Sequence, residues 1–185
     1  MKPYHRGNLD QQLLTTARAL LEEAPSTISL REVARRTDVS HAAAAHHFKD
    51  KRGLLTALAA YGFRLLAEAL AEAGDDFLEV AVEYVKFATG NPGLYSLMFD
   101  PRSVDGRDPA LAEARAEAGR PLQAGIGRIR DVPAAQDPRA ATLAAFALVH
   151  GFATLQITGY LEVEQPAEEM TRRLGRMLFR EVSAP

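Results

Sequence analysis

Two short helical segments separated by three residues place the strongest constraint on how this chain folds. The first opens at Ser29, where the letters S-L-R-E match the capping box S-x-x-E of a helix N-terminus. Thr37-Asp38-Val39 leave room only for a tight turn, and Ser40 then caps a second helix from His41 to about His47. This arrangement predicts a helix-turn-helix, whose second helix enters the major groove of DNA while the first crosses the backbone.

The rest of the chain is also patterned for helices. Apolar residues from Leu9 to Leu21 recur at helical spacing, and a fourth, longer helix is expected to start at Asp50. Further helices are expected at 75–90, 94–99, 111–129 (broken at its glycines and Pro121), 139–160 and 166–182, with loops at 100–109 and 132–138. Since no convincing strand pattern appears, we predict an all-α fold of about nine helices, with a three-helix head at the N-terminus.

Composition argues against several classes of protein. The sequence has no cysteine, which excludes a disulfide framework and a thiolate metal site and fits a reducing cytoplasm. No uninterrupted apolar run approaches the roughly eighteen residues of a membrane span, and the first residues lack the apolar stretch of a signal peptide. We therefore expect a cytoplasmic protein without a membrane segment. Since the sequence shows no nucleophile elbow or glycine-rich phosphate loop, we expect no catalytic residues and no cofactor.

Charge is distributed unevenly along the chain. Residues 1–64 contain 10 Lys and Arg against 6 Asp and Glu, whereas residues 65–185 contain 12 against 18. The net charge of −2 therefore combines a basic N-terminal part with an acidic remainder. This asymmetry is expected when only one end of a protein meets a phosphate backbone.

The motifs around the predicted turn carry a family resemblance. YHRGNL at 4–9 and LREVARRTDVSHAAAAHHFKDKRGLL at 30–55 closely resemble the N-terminal domain of the TetR family of bacterial regulators, over about residues 4–64. The resemblance implies that helix 40–47 enters the major groove, that Lys51 contacts a phosphate, and that Tyr4, His5 and Arg6 form an arm near the DNA backbone. The predicted DNA-contacting residues are Tyr4, Arg6, Ser29, Ser40, His41, Ala42, Ala43, His46, His47 and Lys51.

One position departs from the family pattern. Ala45 stands where family members usually carry a tyrosine that reaches a phosphate, and it closes the run Ala42 to Ala45. The predicted DNA-facing helix therefore offers few long side chains, and its alanines can contact thymine methyl groups. We expect a weaker phosphate contact at this position, or more reading of DNA shape.

The histidines of the same helix invite a second interpretation. His41, His46 and His47 are close enough in sequence to approach one another, as metal ligands must. No carboxylate or cysteine stands at ligand spacing, however, and zinc takes three or four ligands. We therefore predict no metal site and expect solvated or DNA-facing histidines.

Two later stretches resemble a C-terminal domain found in part of the same family. NPGLYSLMF at 91–99 and LVHGFATL at 148–155 look like the effector-binding and dimerisation domain called WHG, with Phe146 where a tryptophan is common. The resemblance implies a DNA-binding domain in residues 1–50 and an effector-binding and dimerisation domain in residues 51–185, connected by helix 50–72. The implied effector is an unidentified small molecule.

Aromatic and sulfur-containing residues on the C-terminal helices are candidates for an effector pocket. Such residues at helical spacing are more often plain core, and both interpretations stay open here. His150, on a mostly apolar helix, is either a satisfied buried histidine or a polar anchor that orients a ligand. The candidate pocket residues are Phe63, Tyr84, Phe87, Tyr95, Met98, Phe99, Phe146 and His150.

Small and apolar residues on the last two helices indicate a surface for close helix approach. They serve either packing within the chain or an interface between two copies. Because a helix-turn-helix regulator reads two half-sites, we favour a four-helix dimer interface. The predicted interface residues are Ala147, Gly151, Met170, Leu174, Met177 and Leu178.

Together these features predict a DNA-binding transcriptional regulator that works as a homodimer on double-stranded DNA. The family resemblance implies a ligand-responsive repressor on a palindromic operator. One alternative is a constitutive DNA-binding protein of the same fold, whose body would be filled solid. Another is a ligand-binding or catalytic helical bundle with a vestigial head, which would fail to bind DNA even at low salt.

Overall fold

The structure, a computed structural model, describes residues 6–129, 131–162 and 164–179. Within those ranges it is all-α, as predicted, with ten α-helices and a 3-10 turn at Pro25–Thr27. The helices are α1 (Arg6–Glu23), α2 (Leu30–Arg36), α3 (His41–Phe48), α4 (Lys51–Glu72), α5 (Phe77–Gly90), α6 (Pro92–Met98), α7 (Pro109–Ile126), α8 (Val132–Gln136), α9 (Pro138–Ile157) and α10 (Ala167–Leu178).

The chain divides into two compact units. Unit 1 comprises Met1–Phe63 and Asn91–Arg115, and unit 2 comprises Arg64–Gly90 and Ala116–Pro185. The helices α4 and α7 each pass from one unit into the other. Unit 1 therefore holds the predicted helix-turn-helix together with α6, which lies far from it in sequence.

The core of unit 1 begins with the apolar face of α1. The spacing i, i+4, i+8, i+11, i+12 predicted this face, and its five members are buried: Leu9, Leu13, Ala17, Leu20 and Leu21. The helix α1 packs on α2 and on α6, and α2 packs on α3. The first short helix of the predicted motif thus packs on α1, and the second packs on the first.

The last turns of α1 also hold the N-terminus of α6. Glu22 accepts hydrogen bonds from the backbone N–H of Gly93 at 2.9 Å and of Leu94 at 2.8 Å. Arg18 donates to the side-chain oxygen of Asn91, the residue that precedes α6. A carboxylate at a helix N-terminus satisfies N–H groups that have no partner inside the helix and complements the helix dipole. The helix α6 therefore depends on α1 for its N-terminal cap.

Unit 2 is built on the packing of α5 with α9 and α10. Gly175 of α10 and Gly125 of α7 permit close approach, since a Cβ atom would lie 2.6 Å from Leu78 at the first position and 3.2 Å from the Phe77 backbone at the second. Phe77 also meets Phe179 edge-on, with 5.2 Å between ring centroids. The buried faces of these helices form the core of this unit.

Two predicted boundaries in the C-terminal half are wrong. The helix α7 runs without a break through Gly119, Pro121 and Gly125 and ends at Ile126, just before Gly127. Its apolar stripe is buried along the whole length: Leu111, Ala114, Ala118, Leu122 and Ile126. Burial of that stripe outweighs the one hydrogen bond that proline removes. The predicted loop 132–138 contains the short helix α8, opened by buried Asp131, which accepts a hydrogen bond from the N–H of Ala134 at 3.1 Å.

The helices α4 and α9 are each long and apolar enough, by length and composition, to cross a membrane. Neither is an uninterrupted apolar run, which is why the sequence did not predict them as candidates. In α4 the most apolar stretch is 56% buried within the protein, whereas in α9 it is only 28% buried. The helix α4 therefore has the burial of a core helix, and α9 retains an uncovered apolar side.

We predict that Gly53→Ala destabilises the protein. A Cβ atom at this position would overlap the backbone carbonyl oxygen of Phe48, which cannot move aside as a side chain can. The expected loss is about 1–3 kcal/mol in the free energy of unfolding, measured by urea denaturation. Gly106→Ala is the matched control, because nothing lies within 4 Å of a Cβ atom there. Equal stability of the two variants would contradict this account of the α3–α4 connection.

A second prediction concerns the ion pair between Glu79 and Arg172 in unit 2. Two parallel hydrogen bonds of 2.8 Å join their side chains, and the Arg172 guanidinium lowers the pKa of Glu79 below 4.5. A lowered carboxyl pKa contributes stability above the unfolded-state pKa, and this contribution is lost as the pH falls below about 4.5. Both side chains are partly exposed, at 35% and 45%, so the expected contribution is below about 1 kcal/mol.

Thermal unfolding of Glu79→Gln at several pH values measures this contribution. The melting temperature of the variant should lie below that of the parent at pH 7, and the gap should narrow as the pH falls through the acidic range. Glu113→Gln is the control, because in the described part of the chain Glu113 has no ion-pair partner. A gap that stays constant with pH would show that the carboxylate charge is not the cause.

Candidate functional site

The predicted helix-turn-helix is present in unit 1. The side-chain oxygen of Ser29 accepts a hydrogen bond from the N–H of Glu32 at 3.2 Å, and that of Ser40 accepts one from Ala43 at 3.1 Å. Between the helices, Asp38 adopts a φ of 56°, and the N–H of Val39 donates to the carbonyl of Ala34 at 3.0 Å. This is the Schellman pattern, which ends α2 sharply and turns the chain into α3.

One side of α3 is buried in unit 1, and the other side is exposed to solvent. Ala44 and Phe48 are buried against the rest of unit 1, while Ser40, His41, Ala42 and His46 are exposed. Ala43 and Ala45 are half-buried. The exposed surface of α3 therefore consists of short side chains and two histidines, as the run of alanines predicted.

His47 occupies a different environment from His41 and His46. Its ring is half-buried, and Nδ1 lies 2.5 Å from a carboxylate oxygen of Asp10 on α1. The ring also meets His46 edge-on, with 5.8 Å between centroids. His47 therefore ties the end of α3 to α1. Among the residues that the structure describes, no group of three or more His, Asp or Glu side chains is arranged to hold a metal ion.

The connection from α3 to α4 is a tight turn at Lys49. This residue has φ 64° and ψ −64°, and the N–H of Asp50 donates to the carbonyl of Phe48 at 2.7 Å. These values are those of a γ-turn with positive φ, which is rare and strained for a residue with a side chain. Asp50 then opens α4 by accepting a hydrogen bond from the N–H of Gly53 at 2.8 Å. The turn holds Lys49 and Lys51 exposed beside the end of α3.

The basic residues of the motif fall into two groups. Glu32 accepts hydrogen bonds from both Arg35 and Arg36, and these bonds lower its pKa to about 2. Arg36 also pairs with Glu23. The charges of Arg35 and Arg36 are thus balanced within the motif, which reduces what they can offer to a phosphate.

The second group has no carboxylate partner. Across α2, α3 and the described residues 49–52, the cations without one are Arg31, Lys49, Lys51 and Arg52, and of these Arg52 donates to the carbonyl of Val104 at 2.9 Å. Arg31 and Lys49 were not predicted as site residues. Both are exposed. The sequence could not single them out, because it does not show which arginines Glu32 neutralises.

The N-terminal arm falls largely beyond what the structure describes. Tyr4 and His5 lie outside the described residues. Arg6 is the first residue of α1, and its side chain is likewise outside them. The roles predicted for these residues remain predictions.

The candidate pocket residues form two groups, one in each unit. In unit 1, Phe63 meets Phe99 edge-on at 5.3 Å between centroids, and Tyr95 meets Phe99 at 5.0 Å. Met98 is fully buried, and a Cβ atom on Gly62 of α4 would lie 2.7 Å from its sulfur. We call Phe63, Tyr95 and Phe99 the aromatic cluster. It joins α6 to α4 within unit 1.

The second group lies in unit 2 around His150. Its Nδ1 is 3.1 Å from the hydroxyl of Tyr84, and its ring stacks on Phe146 at 5.3 Å between centroids. Burial lowers the pKa of His150, so the neutral ring is favoured. The fourth member, Phe87, is half-buried on α5. His150 is thus held by a hydrogen bond inside the unit, which agrees with the satisfied-histidine interpretation and leaves the ligand-anchor interpretation untested.

A narrow apolar crevice runs between α5, α9 and α10. It is lined by Phe77, Ala81, Leu148, Val149, Phe152, Thr171, Leu174 and Gly175, and it has no space for a water molecule. Leu174, predicted at a dimer interface, therefore contributes to packing inside unit 2. This crevice is part of the core and is not a cavity for an effector.

The outer side of α9 carries an uncovered apolar stripe. Its members recur at three- and four-residue spacing, and we call them the α9 face: Leu143, Ala147, Gly151, Thr154 and Leu155. Leu143 is 65% exposed, and a Cβ atom on Gly151 would meet nothing within 4 Å. On α10, Met177 is 78% exposed, while Met170 and Leu178 are half-buried. Leu143 and Leu155 were not predicted, because the sequence does not show which apolar residues of α9 the other helices leave exposed.

Comparisons with known proteins agree with this architecture. Residues 77–178 match the tetracyclin repressor-like C-terminal domain, and residues 13–58 match the bacterial regulatory proteins of the tetR family. A comparison with the curated proteins found no match. The first of these matches alone spans more than half of the chain.

Solved structures give the same result. A protein of unknown function from Rhodococcus sp. RHA1 is 32% identical, with 97% of this chain and 98% of that chain covered and a TM-score of 0.79. PfmR, a TetR family transcriptional regulator from Thermus thermophilus, is 19% identical, with coverage of 96% and 98% and a TM-score of 0.62. The multidrug binding protein EbrR, solved with imidazole, is 22% identical, with coverage of 99% and 98% and a TM-score of 0.60. The last two similarities concern the fold alone.

The helix-turn-helix of unit 1 and the two domain matches lead to one conclusion. The chain belongs to the TetR family of DNA-binding transcription regulators, with a helix-turn-helix head and a helical C-terminal domain, and it is not an enzyme.

Proposed function

We propose that this protein is a ligand-responsive repressor that binds a palindromic DNA operator as a homodimer in the cytoplasm. One observation carries the DNA-binding part of the proposal: three exposed cations of the motif have no carboxylate partner in the described part of the chain. Lys49 and Lys51 directly follow α3, and Arg31 lies in the first turn of α2. Phosphate contacts fix the position of a protein on DNA, and contacts to base edges give the specificity. The motif supplies candidates for both.

The base-reading candidates are the exposed residues of α3. His46 and His41 can donate or accept a hydrogen bond at a base edge, and Ala42 offers a methyl group to thymine. Ser40 and Ser29 cap the two helices, and the N–H groups at such N-termini also favour phosphate. Because the helix has no long cation, specificity depends on few contacts and on the shape of the DNA.

The α9 face supports the dimer. Exposed apolar residues in a continuous stripe are characteristic of an interaction surface, and Gly151 and Ala147 would let a second α9 approach closely. A two-fold pair reads two half-sites about one DNA turn, roughly 34 Å, apart. The exposed Met177 of α10 lies on the helix predicted to complete a four-helix interface.

The effector part of the proposal rests on the family and on contacts within unit 1. EbrR, similar in fold, is described as a multidrug binding protein and was also solved with ethidium and with proflavin. We propose that the C-terminal half, whose motifs resemble a WHG-type domain, binds a small molecule within residues 76–160 and shifts α4. A coupling of about 1–3 kcal/mol would weaken DNA binding about 5–150-fold.

Contacts in unit 1 provide a physical basis for such coupling. Thr56 of α4 accepts a hydrogen bond from the N–H of Asp105 at 2.8 Å, and Glu22 of α1 caps α6. The helices α1 and α4, which precede and follow the motif, are thus hydrogen-bonded to α6 and to the loop 100–108. A constitutive regulator is the second candidate, favoured by the crevice of unit 2, which has no space for a water molecule.

Salt dependence of DNA binding tests the proposal, and Lys51→Ala sharpens the test. Loss of one phosphate contact should weaken binding to all sequences alike and reduce the slope of log affinity against log salt by about 1. Filter binding of a random-sequence duplex over a range of salt concentrations measures the slope. Lys86→Ala, which removes the same charge from α5, should leave it unchanged. Binding of the parent that is indifferent to salt would overturn the proposal.

Leu143→Glu tests the dimer. A carboxylate at this position of the proposed apolar interface would lose its hydration, so the dimer dissociation constant should rise at least about tenfold, or about 1.4 kcal/mol. Sedimentation velocity measures the change. Ala112→Glu adds the same charge at an exposed position of α7 and should leave the dimer intact. A parent protein that sediments as a monomer would refute the interface.

A further inference from the structure

The cation Arg115 of α7 lies over the aromatic cluster of unit 1. Its guanidinium carbon is 5.4 Å from the centroid of the Phe63 ring. Phe63 is buried, and both Phe99 and Arg115 are half-buried. The arrangement places a positive charge beside an aromatic cluster, and Phe99 in this cluster is partly exposed to solvent.

Arg115 has no anion to balance it. Within the described residues, no carboxylate lies within 4.0 Å of its side chain, and no described residue accepts a hydrogen bond from it. The acids nearest in sequence are Glu113 and Glu117, and residues two apart do not face each other on a helix. The guanidinium, which carries five N–H donors, therefore has no hydrogen-bond acceptor among the described residues.

The carboxylates of the preceding loop are occupied elsewhere. Asp100 accepts hydrogen bonds from Ser103 and Arg102, Asp105 accepts one from the N–H of Arg107, and Asp108 caps α7 at the N–H of Leu111. Glu22 is engaged at the N-terminus of α6. An anion that pairs with Arg115 must therefore come from outside this set.

We propose that the effector of this regulator is an organic anion, with an aromatic or other apolar body and a carboxylate or similar group that binds Arg115. A guanidinium binds a carboxylate through two parallel hydrogen bonds, and the half-buried Phe99 of the aromatic cluster can offer an apolar contact beside it. Cationic compounds, such as the ethidium found with EbrR, are repelled by Arg115. This inference rests on the proposed function, because it names the class of ligand for the proposed response.

The placement of Phe63 gives such a ligand a direct route to the DNA-binding motif. Phe63 lies on α4, twelve residues after Lys51, which is about 18 Å along the helix axis. A ligand that draws the Arg115 guanidinium away from the ring changes the surroundings of Phe63. The helix that carries the phosphate-contact candidate is therefore the one that the ligand perturbs.

Two probes with the same ring and opposite charge test the inference. Isothermal titration calorimetry with 2-naphthoate and with 2-naphthylmethylammonium compares them on the parent protein, so no variant has to fold for this step. Naphthoate should bind at least about tenfold more tightly. Equal affinities, tighter binding of the cation, or no naphthoate binding up to its solubility limit would each overturn the inference.

The variant Arg115→Gln then locates the site. Its affinity for naphthoate should fall at least about tenfold, while Arg107→Gln, which removes the same charge from the exposed loop, should bind like the parent. An equal loss in both variants would show that net charge, and not Arg115, attracts the anion. Filter binding of DNA on the same preparations separates the two proposals: intact salt-dependent DNA binding without naphthoate binding overturns only this inference.

Discussion

The junction between α3 and α4 is the constraint on which the candidate DNA interface depends. The carbonyl of Phe48 closes the γ-turn at Lys49, and the same carbonyl leaves room for no side chain at Gly53. Phe48 itself is buried, so this joint is fixed to the core at the point where α3 ends. Lys49 in the turn and Lys51 at the start of α4 are therefore held beside the end of α3, and the burial of Phe48 offsets the strain at Lys49.

The cations of the helix-turn-helix have two roles: some form ion pairs within the protein, and others are left for phosphate. Glu32 neutralises Arg35 and Arg36, and the unpaired cations stand at the start of α2 and around the α3–α4 turn. The adjacent arginines Arg35 and Arg36 thus take part in ion pairs within the protein. The cations without a carboxylate partner are the candidates for phosphate contacts. Arg115 is a further cation of unit 1 without a carboxylate partner among the described residues, and its guanidinium lies over the Phe63 ring.

Much of the fold and of the candidate DNA interface could be predicted from local sequence patterns. The caps at Ser29 and Ser40, the buried face of α1 and the all-helical class follow from patterns that act within a few residues. Apart from the short helix α8, which has a local cap at Asp131, the misses originate in long-range packing. Pro121 sits inside α7 because the stripe from Leu111 to Ile126 is buried on both sides of it. The exposure of Leu143 likewise depends on what the other helices leave uncovered.

The N-terminus of α6 shows what such packing does to cooperativity. Asn91 does not cap α6 with its own side chain, and the helix has only seven residues, fewer than an isolated helix needs to persist in water. Its first free N–H groups are held by Glu22 from α1. The folding of α6 is consequently conditional on α1 being helical, although some seventy residues separate them along the chain. The two helices therefore fold cooperatively: fraying of the last turns of α1 or of the first turn of α6 breaks the hydrogen bonds of Glu22 and destabilises both.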